Sequence, residues 1–239
     1  MLQKIPLENI LFLDIETVPE QADYEDLTQE ARELWEHKTR YQRKEEFTPA
    51  EFYERAGIWA EFGKVVCISA GFFQESGGPR TFRVKSFTGS EPELLREFSS
   101  LLEGYFRGPR KLLCAHNGKE FDFPYLARRM IIHGLPLPAK LNLFGKKPWE
   151  VPHLDTMELW KFGDFKHYTS LRLLAHILGI PSPKQDLDGS QIRSVYYEEQ
   201  DVERIRKYCE LDVITTAQVF LRLRGEDLLP EGNITRIDD

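Results

Sequence analysis

At 239 residues, 41% hydrophobic and 12% aromatic, the chain is long enough to bury a large core as one domain or one domain plus an insertion. A formal net charge of −7 argues against a general polyanion binder, and no apolar run approaches the ~18 residues of a membrane span. The three cysteines, Cys67, Cys114 and Cys209, are too scattered for a disulfide frame or a zinc site and read as reduced core residues. With no signal-peptide pattern in the first residues, the expectation is a soluble, cytoplasmic protein with no membrane contact.

Ile10 to Thr17 is an apolar run that reads as a central strand and carries Asp14 and Glu16 near its end. The segment 20–62 is polar, with 12 acids against 6 bases. Its helical spacing at Leu27, Ala31, Leu34 and Trp35, and the Thr48-Pro49-Ala50-Glu51 start signal, predict a helical insertion. Lys64 to Phe73, a turn at 76–79 and Arg80 to Phe87 predict an antiparallel hairpin. Ser90 and Glu93 open a helix with its stripe at Leu94, Leu95, Phe98, Leu101 and Leu102, and Lys111 to Ala115 is a buried strand. A helix then runs from about Asp122 to Gly134, followed by a proline-rich loop over 135–152 and a short strand end at 153–156. A capped helix covers Thr169 to Leu178, and a long last helix about Gln200 to Arg224. This order predicts an α/β fold on a mixed five-stranded sheet flanked by helices, residues 1–239 forming one domain with 20–62 inserted.

Residues alternate faces along a strand, so Asp14 and Glu16 share one. Two carboxylates at a buried strand end repel and lose hydration, which a divalent cation would relieve; a solvated strand end or a cap is the alternative. On the last helix, Ile205, Tyr208, Cys209, Asp212, Thr216, Val219, Phe220 and Leu223 form one stripe with Asp212 in its middle. Tyr208, four residues earlier, points the same way, whereas Glu203, Arg206 and Glu210 are expected on the solvent face. Asp212 needs a buried partner, a cation or a core arginine. Asp122 is a ligand or a helix cap, Asp155 reads as a cap, and His116, His153 and His167 read as loop or core histidines.

Leu13-Asp14-Ile15-Glu16-Thr17, His116-Asn117-Gly118-Lys119-Glu120-Phe121-Asp122 and Tyr208-Cys209-Glu210-Leu211-Asp212 resemble, in order and separation, the three motifs of the DEDD 3′-to-5′ exonucleases. The tyrosine four before the last Asp resembles the DEDDy branch; the histidine branch would have its histidine where Lys207 stands. Residues 60–69, 188–192 and 215–222 are similar to the small stand-alone bacterial exonucleases related to the proofreading domain of family-B DNA polymerases.

The resemblance implies a ribonuclease-H-like fold with the second strand antiparallel to the first. It also implies two divalent ions, Mg²⁺ or Mn²⁺, held by Asp14, Glu16, Asp122 and Asp212, in a site completed by Tyr208 as the residue that orients water. Thr17, Asn117 and Phe121 would lie near the 3′-terminal nucleotide. The expected substrate is single-stranded nucleic acid, DNA in preference to RNA, released as nucleoside monophosphates. The stretch 128–172, with 8 bases against 4 acids and Trp149, Trp160, Phe162, Phe165 and Tyr168 among them, fits a charged groove with stacking faces; aromatics that are mostly core and bases that form a solvated face are the alternative. An RNA-trimming enzyme of the ribonuclease D type and a non-catalytic nucleic-acid-binding module on the same fold are the alternatives. A polymerase or repair partner has no sequence signal.

Overall fold

The computed structural model describes residues 2–44, 46–75, 78–164, 168–181 and 187–237. The expected turn residues Ser76 and Gly77 lie outside that set, as do Phe165, Lys166 and His167. Strand β1 (Ile10–Pro19) leads into helix α1 (Gln29–Arg43), a short α2 (Pro49–Tyr53), and the hairpin β2 (Gly63–Gln74) and β3 (Thr81–Phe87). Helix α3 (Glu91–Gly104), β4 (Leu112–Ala115), α4 (Asp122–Ile132), β5 (Leu154–Asp155), α5 (Thr156–Lys161) and α6 (Leu171–Ile177) follow. A single turn α7 (Ile192–Ser194) continues into a π-helical turn, Val195–Glu199, before the long α8 (Val202–Leu223) and a final β6 (Ile234–Ile237).

The sheet runs β5-β4-β1-β2-β3-β6, with β1, β2 and β3 antiparallel and the β1/β4, β4/β5 and β3/β6 pairs parallel. This is the α/β mixed sheet that the order of elements predicts, with one strand more. The expected five-stranded sheet omits β6, whose four residues are too few to declare an alternation and whose partner β3 lies about 150 residues earlier in the chain.

Alternation along β1 divides the core. Leu11, Leu13 and Ile15 pack with Leu94, Leu95, Phe98 and Leu126 of α3 and α4. Ile10 and Phe12 pack on the other face with Val213, Ala217 and Phe220 of α8. Asp14 and Glu16 continue that second series and therefore face α8. A bulge interrupts the β1/β2 ladder here: Glu16 pairs with Cys67 but Thr17 with Val65. The extra residue, Val66, turns Val65 towards α3 and α4 while Val66 and Cys67 stay on the α8 side.

Segment 20–62 has its own small core. Trp35 is fully buried and its ring lies 5.1–6.0 Å from those of Phe52, Tyr53, Trp59 and Phe62. Leu34, expected on the same stripe, is 57% exposed; one helical step of 100° carries it past the edge of a stripe this narrow. The Thr48 capping box forms as expected, with Glu51 returning to the Thr48 amide. The segment returns across the end of β1, where a Cβ at Gly57 would lie 3.1 Å from the Val18 backbone and one at Gly63 only 2.5 Å from the Tyr125 hydroxyl. A buried clamp fixes this corner: Arg129 binds both oxygens of Glu91 at 2.8 and 2.5 Å, Glu20 at 2.9 Å and the Ala60 carbonyl at 2.9 Å. Among the described residues no helix is long and apolar enough to cross a membrane.

Candidate active site

The elements around the end of β1 bring four acids within electrostatic reach of one another. Asp14 and Glu16 stand on β1, half-buried and buried respectively. Asp122, 3% exposed, is the first residue of α4, and Asp212 lies half-buried on α8. Burial, then the charge of Glu16, then those of Asp122 and Asp212 push Asp14 well above the ordinary carboxylate range. Glu16 is raised in the same way, by burial first and by Asp212 second. Burial lifts Asp122 to about 7, against the pull of the Asp122 and Ile15 backbone amides. Its Oδ1 is buried without a hydrogen-bond partner among the described residues.

Tyr208 extends from α8 towards the same acids, one turn before Asp212, whose charge acts on its hydroxyl. Burial and the charges of Asp212, Glu16 and Asp14 hold its proton on above the ordinary tyrosine range. Asp14, Glu16, Asp122, Tyr208 and Asp212 therefore lie near one another at the end of β1. Thr17 and Phe121 both border a third residue: the Tyr125 hydroxyl donates to the Gly57 carbonyl and lies near the Thr17 side chain, and the Tyr125 ring lies 5.3 Å from that of Phe121. Asn117, in the left-handed region at φ 66°, donates its N–H to Asp155 and lines a separate cleft.

Asp155 behaves as the expected cap. It takes the N–H groups of Met157 and Glu158 in α5 and those of Asn117 and Lys119, so one buried carboxylate ties the turn before α4 to the start of α5. His116 bridges Thr156 and the Thr169 carbonyl. His153 sits between the Leu113 amide and the Lys140 carbonyl, its pKa pushed down to about 4 by burial. Both are structural, as their sequence context suggests.

One residue of the site and one of its neighbours on α8 escape sequence reasoning. Cys209, read only as part of an apolar stripe, directs its thiol at the Asp14 carbonyl and Oδ2, 3.4 and 3.5 Å away. Glu210, expected in solvent, is 1% exposed and accepts from Ser86 and Arg206. The stripe missed it because α8 is covered on more than one side: residues 213–221 are buried without interruption, and the Ser86 partner on β3 is invisible to helical spacing.

The cleft beside Asn117 has a volume of about 960 Å³ and lies among α4, the 135–152 loop and α5. Its floor includes Phe123, Leu141 and Met157, and Phe144 and Tyr168 stand exposed at its rim. Part of the positive charge of 128–172 is engaged: Lys161 lies 4.0 Å from Glu120, Arg129 is buried in the Glu91 clamp, and Lys140 is spent on the Gly108 and Lys111 carbonyls, whereas Arg128 and Lys146 line the cleft. A charge count along the chain does not record which face each base occupies. Trp149 and Phe162 are exposed as a stacking surface requires, whereas Trp160 packs with Leu174 and Val219 in a core cluster.

Buried, mutually repelling carboxylates that include an oxygen without a partner are a hard-donor set, and that chemistry fits a divalent cation such as Mg²⁺ or Mn²⁺. A mixed sheet with acids at the end of its central strand, at the start of a following helix and on the closing helix defines a ribonuclease-H-like fold with a candidate metal centre. The family described as "predicted 3′-5′ exonuclease related to the exonuclease domain of PolB" matches residues 58–233, and the chain belongs to that family. The matched range contains Asp122, Tyr208 and Asp212 and begins after Asp14 and Glu16. Among solved structures, the family B DNA polymerase of the hyperthermophilic archaeon Pyrobaculum calidifontis is similar in fold, with a TM-score of 0.55 and 14% identity. The similarity covers 89% of this chain but 24% of the polymerase. No curated protein matches the sequence.

Proposed function

We propose that this protein is a metal-dependent 3′-to-5′ exonuclease that removes nucleoside monophosphates from the 3′ end of single-stranded nucleic acid, DNA in preference to RNA. One observation carries the reading: acids from three separate elements converge where burial, and for Asp14 and Glu16 their neighbours' charges, raise their pKa values, and Asp122 buries an oxygen with no partner among the described residues. Nothing in the stability of a fold calls for such an arrangement, whereas a divalent centre does. In this reading Asp14, Glu16 and Asp212 hold one ion, and Asp14 with Asp122 holds the other. When bound, two such ions clamp a scissile phosphate, make water acidic and stabilise the leaving oxygen.

Tyr208 has a narrower task. With its proton held on, it is no base near neutral pH; its hydroxyl, close to Asp212, would hold the attacking water by a hydrogen bond and fix that water's direction. Thr17 and Phe121, both bordering Tyr125, present a hydroxyl and a ring to the terminal sugar and base, with Asn117 at the cleft beyond. The apolar floor and exposed rings of the cleft suit the stacking of bases further along the strand. We read residues 1–239 as a single exonuclease domain and 20–62 as an insertion that walls the active-site end, its acidity making it a poor surface for a strand.

The test uses single strands of DNA and of RNA, each labelled in turn at the 3′ and the 5′ end, with Mg²⁺, Mn²⁺ or chelator. The expected result is immediate release of the 3′ label as mononucleotide and a ladder shortening from the 3′ end of 5′-labelled strands, both abolished by chelator. Binding without hydrolysis would leave the fold as a nucleic-acid-binding module, and internal cuts would remove the exonuclease reading.

A further inference from the structure

We infer that the carboxylate centre is also a binding site for a thiophilic divalent ion, with Zn²⁺ or Cd²⁺ held by Asp14, Glu16 and Cys209. That such an ion inhibits hydrolysis rests on the exonuclease reading; that it binds does not. One ligand atom from each of the three residues lies within 4.8 Å of the others. In a tetrahedral zinc site with Zn–S of about 2.3 Å and Zn–O of about 2.0–2.2 Å, the sulfur–oxygen edge is about 3.5–3.7 Å. The Cys209 Sγ to Asp14 Oδ2 separation is 3.5 Å, so this edge is already formed.

A second feature points to a ligand at the same place. Asp122, whose charge acts on both Asp14 and Glu16, buries Oδ1 without a partner among the described residues. That leaves the fourth position to Asp122 or to water.

Ion type decides whether sulfur takes part. Mg²⁺ takes oxygen ligands, so it uses the carboxylates and leaves the thiol protonated. Zn²⁺ and Cd²⁺ bind thiolate: the S–H bond breaks, its proton passes to water, and a metal–sulfur bond forms without oxidation. A thiophilic ion therefore gains one ligand that the ions supporting hydrolysis do not use.

The experiment titrates the metal-free full chain with Cd²⁺, without nucleic acid, and follows the near-ultraviolet sulfur-to-metal absorption. One equivalent should raise the band in the unmutated chain and in Cys67→Ala, and not in Cys209→Ala. X-ray absorption of the unmutated chain with one equivalent of Zn²⁺ should give one sulfur at about 2.3 Å, which keeps the test decisive if Cys209→Ala fails to fold. In the presence of substrate, the ratio of the Zn²⁺ inhibition constant to the Mg²⁺ activation constant should rise at least tenfold in Cys209→Ala. An all-oxygen shell around Zn²⁺, or a band that persists in Cys209→Ala, overturns the site. A correct band in a chain without hydrolysis overturns the exonuclease reading alone.

Discussion

Replacing Asp122 with asparagine should stabilise the metal-free protein while abolishing its activity. The Asp122 carboxyl is raised by burial from its ordinary 3.8 to about 7. At 1.36 kcal/mol per pH unit, ionising it in the folded state therefore costs about 4 kcal/mol above pH 7. An amide removes that cost, but its NH₂ inherits a position where Oδ1 has no partner among the described residues, a penalty of about 1–3 kcal/mol. The net gain at pH 8 is about 1–3 kcal/mol. The sign with pH follows from a raised folded pKa: the wild-type contribution is intact below about 3.8 and is lost as pH rises through about 7. At pH 5 the cost avoided is only about 1.6 kcal/mol, so the advantage of the asparagine shrinks to nothing or reverses. Urea unfolding of both proteins in chelator at pH 5 and pH 8 measures this directly. With Mg²⁺ or Mn²⁺ added, the order should invert at pH 8, because only the wild type keeps all its ligands. Destabilisation by Asp122→Asn in chelator at pH 8, or a difference that does not change between pH 5 and pH 8, would refute a carboxylate held there for a cation.

Tyr208→Phe keeps the ring in its cluster with Ile205 and Val195 and removes only the hydroxyl. Single-turnover rates should fall by roughly 10²–10⁴ with metal and strand binding retained, and an unchanged rate across pH would make Tyr208 a packing residue. Asp14→Ala should abolish hydrolysis with either metal and weaken Mn²⁺ binding in calorimetry, since Asp14 is assigned to both ions; full-strength binding would count against the two-ion arrangement. Arg129→Met should cost about 3–5 kcal/mol in urea unfolding, because it leaves Glu91, 7% exposed, without its guanidinium partner. Glu91→Gln in the same chain should recover part of that loss, and a loss below about 1 kcal/mol would mean that water reaches the clamp.

Local periodicity made much of the site legible without coordinates. A repeat of two places Asp14 and Glu16 on one face of β1, and a spacing of four stacks Tyr208 on Asp212, whatever the rest of the chain does. The Thr48 capping box and the Asp155 cap are equally local, since each closes within three residues of its own position. Only the tertiary structure decided what depends on residues far apart in the chain. The order of strands, the pairing of β6 with β3 and the bulge at Val66 that sets Cys67 opposite Glu16 are properties of ladders, not of segments. Glu210 looked like a solvent-facing acid until Ser86, 124 residues away, met it, and Cys209 looked like core until its sulfur reached Asp14 across 195 residues. The bases of 128–172 looked like one patch until Glu91, Glu120 and the Gly108 and Lys111 carbonyls took several of them. Sequence fixes the direction in which a side chain leaves its own helix or strand; what stands opposite, and therefore its charge state and its chemistry, is settled by packing between elements.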